Sequence, residues 1–230
     1  MERSIADKKL SETTIPISFA IFDSMEQCCD GEVERLLPLV SAERRQRALA
    51  YKHLPGRYAC LKSYAMLCQL LRDAGIIAPG DMPAFGYGPH EKPFLRDLPG
   101  VEFSISHCSA AIAVAICGRP IGIDIERYRT PSPSLLRYAM NEQEQKMIKD
   151  AADFTTLWTQ KEAIAKLSGR GLTTDLHNLL SHKDPSVVLI TTHNDERQYV
   201  CTIAYDKGMQ AHSLSPSQDA LPGLYSAHRN

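Results

Sequence analysis

Two short stretches constrain this chain more than any others. They are Gly122-Ile123-Asp124-Ile125-Glu126 and, beginning 32 residues after Glu126, Trp158-Thr159-Gln160-Lys161-Glu162-Ala163-Ile164-Ala165-Lys166. The first reads as a strand, so Asp124 and Glu126 share one face and Ile121, Ile123 and Ile125 the other. The second reads as a helix, on which Glu162 and Lys166 share a face; Trp158 lies on that face too. If the two elements pack together, three carboxylates and an ammonium converge. Such a cluster suits a hard divalent cation that also holds a phosphate.

Each piece has a plainer reading alone. Two acids beside buried isoleucines suit the solvent face of an edge strand. A Glu–Lys pair four apart is among the commonest helix-surface arrangements. Only the combination points to chemistry.

The bulk properties narrow the function classes. The chain has 230 residues, 43% of them hydrophobic, enough for one large domain or two small ones. A formal net charge of −1 supplies no global attraction to nucleic acid or membrane. The seven cysteines are odd in number and contain no Cys-x-x-Cys pair, which argues against zinc and a disulfide framework and fits a reducing cytoplasm. Met1–Leu10 does not resemble a signal peptide. The apolar run Ala110–Cys117 is too short to span a bilayer, so a soluble protein is expected.

Along the chain, residues 1–14 read as frayed and 15–22 as a strand. Ser41 is a plausible cap for a helix, Pro55-Gly56 marks a break, and a long buried helix follows over 57–73. The Pro- and Gly-rich segment 78–101 reads as a long loop with one short strand. Three strands follow near 103–106, 111–117 and 121–126. Asn141 and Glu144 form a capping box for a helix over 141–151. The Trp158 helix covers about 155–168 and stops near Gly169-Arg170-Gly171. Strands near 187–192 and 199–205 and a loose tail complete the chain. Helices and strands are grouped rather than alternating, which predicts an α+β fold.

Other candidate residues flank the two stretches. Ser106 and His107, at the end of a strand, offer hydrogen bonds to phosphate. Arg44, Arg45, Arg47 and Arg57 form a basic run; the plain reading is a solvated helix face, but Arg also suits a terminal phosphate. There is no Walker-type loop, dinucleotide fingerprint or Ser–His–Asp signature. Phosphate chemistry here must therefore rest on metal, Arg and Lys.

The strand Gly122–Glu126, the helix Trp158–Lys166 continuing into Gly169-Arg170-Gly171-Leu172, and the strand end Ser104-Ile105-Ser106-His107 resemble the motifs of the phosphopantetheinyl transferase superfamily. They are ordered and spaced as in its double-length type, which serves surfactin and other peptide or polyketide synthases. The similarity runs from about Ser41 to Tyr205.

The resemblance implies two α+β halves, 1–119 and 120–230, related by pseudo-two-fold symmetry. Each would have a small antiparallel sheet packed on a long helix, and no partner subunit would be needed. It implies transfer of 4′-phosphopantetheine from coenzyme A to a serine of an acyl or peptidyl carrier protein, an acidic helical bundle, with release of adenosine 3′,5′-bisphosphate. Asp124, Glu126 and Glu162 would hold magnesium, with manganese as the alternative ion. Lys166 would neutralise the leaving diphosphate, and Glu162 would be the candidate base. Ser106 and His107 would hold phosphate oxygens, Lys92 would contact the nucleotide, and Arg44, Arg47 and Arg57 would complete the coenzyme A site. Carrier docking would use the segment with Arg127, Arg129, Arg137, Leu135 and Leu136.

Two positions depart from the family pattern. Glu91 precedes Lys92-Pro93 where glycine is common, and Met140 replaces a usual aromatic, predicting a local packing change. Rival readings are a non-catalytic relative that binds coenzyme A or a carrier, and a metal-dependent phosphodiesterase, which the lack of a basic stripe disfavours.

Overall fold

The computed structural model describes residues 15–88, 90, 92–169 and 175–208. The expected N-terminal fray, Glu91, the Arg170-Gly171-Leu172 end of the helix motif and most of the tail lie outside the described residues.

The first sheet contains strands β1 (Ser18–Phe22), β4 (Glu102–His107) and β5 (Ile112–Cys117), antiparallel in the order β1-β5-β4. Helices α1 (Asp30–Leu36), α2 (Ala42–Leu49) and α3 (Leu54–Asp73) come between β1 and β4 in the chain. Ser41 caps α2 by accepting from the Arg44 amide. Pro55, expected to break the chain, instead occupies the first turn of α3, where its missing N–H costs nothing. Leu61, Tyr64, Leu67 and Leu71 of α3 share a core with Ile112, Val114 and Ile116 of β5. Each such full burial is worth roughly 1.5–3 kcal/mol.

The second sheet contains β6 (Ile121–Arg127), β7 (Val187–Asn194) and β8 (Tyr199–Asp206), antiparallel in the order β6-β8-β7. Helices α4 (Pro133–Ala139), α5 (Glu142–Met147) and α6 (Ala151–Ser168) separate β6 from β7 in the chain. The Asn141–Glu144 capping box is present. The helix it opens ends at Met147, however, and Asp150 caps a new helix four residues earlier than the sequence suggests. Met140 is fully buried with Ala139, Phe154 and Trp158, filling the place of the usual aromatic. The Pro- and Gly-rich segment holds two short paired strands rather than one, β2 (Phe85–Tyr87) and β3 (Pro93–Leu95).

Two contacts place the site. The alternate residues Ala111, Ala113, Ala115 and Cys117 pack against Ile121, Ile123 and Ile125 of β6. On the opposite face of β6, a Cβ on Gly122 would fall 2.0 Å from the Ala163 carbonyl oxygen and 2.6 Å from the Leu167 nitrogen. Only glycine allows α6 this close to β6, and that approach sets Asp124 beside the helix face carrying Glu162 and Lys166.

Candidate functional site

β6 ends the hydrogen-bonded ladder of its sheet, yet it is no open edge. β4 lies along it, and two serines bridge the seam. Ser104 Oγ accepts from the Ile123 amide at 3.0 Å, and Ser106 Oγ donates to Asp124 Oδ1 at 2.8 Å. Asp124 is consequently only 3% exposed, so the solvent-face reading of this carboxylate fails. Its Oδ1 also accepts from Lys166 Nζ at 2.7 Å, and that ammonium donates to the Ile123 carbonyl at 3.1 Å. Among the described residues, Asp124 Oδ2 is buried with no hydrogen-bond partner. Ser106 has one O–H and directs it at Asp124, so in this arrangement it orients the carboxylate.

Glu126 and Glu162 complete an acidic pocket. The Glu162 carboxyl is pushed up to about 7, first by burial, then by the charge of Asp124, with Glu126 adding to it; Lys166 and Arg129 oppose the shift. Glu126 is also raised, by burial and then by Asp124, and is eased back by Arg129, Lys166 and Trp158. Among the described residues, no three His, Cys, Asp or Glu side chains stand close enough to hold a metal ion as they are. The acids share a pocket and repel one another rather than forming a closed ligand set.

The Glu162 shift predicts a pH effect. Its proton is held more tightly in the folded chain than in the unfolded one. The resulting stability is complete below the ordinary value of 4.5 and is lost as pH rises through about 7. Without metal, Tm of the wild type should therefore fall relative to Glu162→Gln as pH increases from about 5 to 8. Parallel melting curves across that range would refute the shift.

The other predicted residues divide into near and far. His107, at the exposed end of β4, is held below the usual imidazole range by desolvation, then by Lys166 and Arg44. Arg44, which acts on it, also lines a shallow cleft with Ser41, Glu43, Arg47, Tyr64, Phe85 and Tyr87. Lys92 lies against the C-terminal end of α6, where a Cβ on Gly169 would meet its Cδ at 3.0 Å, and its ammonium is 3.7 Å from Glu102. Arg57 is not in the cleft lining; its Nε donates to the Tyr51 carbonyl at 2.8 Å and closes the turn between α2 and α3.

Sequence reasoning missed two residues at the pocket. Arg129, expected in a docking segment, instead places its guanidinium 4.9 Å from the Trp158 ring centre and 5.8 Å from that of Phe154. Its amide is held by Thr155 Oγ1 at 3.1 Å. Arg127 and Arg137 are exposed, whereas Leu135 and Leu136 pack partly into the cluster around Trp158. Lys161, one residue before Glu162, is fully buried and donates to Glu144, the Ala139 carbonyl and the Leu176 carbonyl, each at 2.6 Å. It fixes the rotation of α6 against α5 and so the direction in which Glu162 and Lys166 point. Its only sequence signal is a lysine turned about a quarter-turn away from Glu162 on the helix.

Comparison with known proteins places this arrangement. A family model described as the 4′-phosphopantetheinyl transferase superfamily matches residues 120–215. A 4′-phosphopantetheinyl transferase of Bacillus subtilis is 30% identical over 155 residues, covering 64% of this chain and 67% of that relative. The 4′-phosphopantetheinyl transferase Sfp of Bacillus subtilis (strain 168) is 26% identical over 185 residues, 77% of this chain and 82% of Sfp. The 4′-phosphopantetheinyl transferase gsp of Aneurinibacillus migulanus is 26% identical over 161 residues, 67% of each chain. With its α+β architecture and its Asp124–Lys166 pocket between strand and helix, the chain belongs to the 4′-phosphopantetheinyl transferase superfamily and is an enzyme of that type.

Proposed function

We propose that this protein transfers the 4′-phosphopantetheine group of coenzyme A to a serine hydroxyl of an acyl or peptidyl carrier protein, releasing adenosine 3′,5′-bisphosphate. The observation that carries the reading is the buried Asp124 carboxylate, held by Ser106 and Lys166 and flanked by Glu126 and Glu162, at the seam of the two sheets.

The donor set suits a hard cation: Asp124 raises the proton affinity of both Glu126 and Glu162, and its buried Oδ2 has no partner among the described residues. Asp124, Glu126 and Glu162 would hold magnesium or manganese. When bound, the ion would supply charge neutralisation across the diphosphate. In the transfer, the serine oxygen forms a bond to the β-phosphorus of coenzyme A while the bond from that phosphorus to the bridging oxygen breaks. Glu162 is the candidate to receive the serine proton, directly or through water. Lys166 would neutralise the negative charge that grows on the leaving 5′-phosphate of adenosine 3′,5′-bisphosphate. His107 supports the phosphates from the cleft side, Lys92 the nucleotide, and the cleft of Arg44 and Arg47 its ribose phosphate. Arg57 acts through the turn it closes.

The same reading divides the chain into halves 1–119 and 120–230 with pseudo-two-fold symmetry. Support comes from repetition: a sheet strand, three helices, then two more strands of the same sheet, with the first strand beside the last, and in the first half the β2–β3 pair is inserted before those two strands. It also implies a cytoplasmic monomer. No helix among the described residues is long and apolar enough to cross a membrane.

The test is intact-mass analysis of apo carrier proteins from fatty-acid, polyketide and peptide pathways, incubated with the protein, coenzyme A and magnesium. A gain of one phosphopantetheinyl group, abolished by chelator, is expected. Coenzyme A binding with no gain on any carrier would favour the binding-only reading.

A further inference from the structure

Arg129 stands at the acidic pocket but takes no part in the transfer itself. It follows Glu126 by three residues, just past the end of β6. Its amide is held by Thr155 Oγ1, and its guanidinium lies on the Trp158 ring. Thr155, Trp158 and Glu162 are spaced three and four apart on α6, so they form one stripe of that helix. The chain after β6 is thereby laid along the stripe that leads to Glu162, and the guanidinium is set down one turn before that carboxylate. Phe154 and Trp158 are themselves stacked, with ring centres 6.2 Å apart and planes 24° apart, and they pack with buried Ala139 and Met140. The guanidinium therefore rests on a firm aromatic bed.

Two features mark this cation as a counter-charge rather than a salt-bridge partner. Among the described residues its Nε is buried with no hydrogen-bond partner, and it makes no ion pair. Yet its charge reaches both Glu126 and Glu162 and favours their ionised forms. Lys166 differs, being bonded directly to Asp124. Three carboxylates thus face two cations, one in contact and one held off by aromatic rings. A guanidinium keeps its charge at any working pH. A divalent ion entering among the carboxylates meets that charge as repulsion.

We propose that Arg129 is the built-in counter-charge of Glu126 and Glu162: held on Trp158 and Phe154, it steadies the two carboxylates and holds down the affinity of the pocket for a divalent cation. The inference rests on the metal assignment within the transferase reading above. Its consequence is a site that takes its ion reversibly rather than as a permanent fixture.

The test is manganese binding to chelator-treated protein without coenzyme A, read as loss of the free-ion electron paramagnetic resonance signal. Wild type, Arg129→Gln, Arg129→Lys and Asp124→Ala are compared. Arg129→Gln removes the charge and keeps the backbone bond to Thr155. It should bind manganese about tenfold more tightly than wild type. Arg129→Lys keeps the charge and should stay within about twofold of wild type. Asp124→Ala should bind about tenfold more weakly. Melting supplies a second readout. Without metal, Arg129→Gln should melt below wild type, and saturating manganese should close most of the gap, which a purely structural stack would not show. Unchanged or weaker manganese binding by Arg129→Gln overturns the inference, as does Arg129→Lys binding as tightly as Arg129→Gln. A melting gap that manganese leaves as it is overturns it too. In each of those cases the transferase reading still stands on its own carrier assay. Asp124→Ala binding manganese like wild type would instead show that the ion sits elsewhere, and the metal assignment and this inference would fail together.

Discussion

Asp124→Ala should lower transfer to a carrier protein by about a thousandfold while the protein stays folded. The large effect follows from position. Asp124 is the carboxylate on which Ser106 and Lys166 converge, and its charge is a cause of the raised proton affinity of both Glu126 and Glu162. Its removal deletes a proposed metal ligand, releases Lys166 from one of its partners and removes a charge that raises the proton affinity of Glu162. The fold survives because Lys166 keeps the Ile123 carbonyl and its side chain is 30% exposed, so no charge is left stranded. Turnover by intact-mass assay and a thermal melt on the same sample provide the check. Wild-type turnover in a folded variant would remove Asp124 from the chemistry.

Lys161→Ala should have the opposite profile, with stability lost first. The Lys161–Glu144 pair is sealed from water, the lysine side chain at 0% and the glutamate at 7% exposure. Removing the ammonium leaves a buried carboxylate and two backbone carbonyls without their donor. Breaking one side of such a pair costs about 3–5 kcal/mol, a fall in Tm of roughly 10 °C for a chain of this size. Lys161→Met combined with Glu144→Gln should recover part of the loss, because no uncompensated charge remains. A single variant melting like wild type would show that the pair does not hold α6 in register.

Much of the site was legible because strand and helix periodicities are strong over β6 and α6. Alternation placed Asp124 opposite the isoleucines, and i,i+4 spacing placed Glu162 with Lys166. What could not be read was what lies across from these faces. Asp124 is buried because β4 crosses the seam and Ser104 and Ser106 close it, a side-chain contact between strands of different sheets. Arg44 and Arg47 look alike in the chain; only the fold shows Arg44 bonded to Cys60 and Ser63 of α3 and Arg47 left more exposed. Helices α1 and α4, seven residues each, escaped detection because such short helices owe their stability to tertiary packing. Pro55 was misread because proline marks both a break and a helix start, and the neighbouring chain decides between them.

Trp158 is the only tryptophan in the chain, and it sits in contact distance of Arg129 at the edge of the acidic pocket. The protein thus carries its single indole fluorophore beside the carboxylates proposed to bind metal. Its emission is a one-site optical signal, uncontaminated by other indoles, through which cation or nucleotide arrival can be timed in the unlabelled protein.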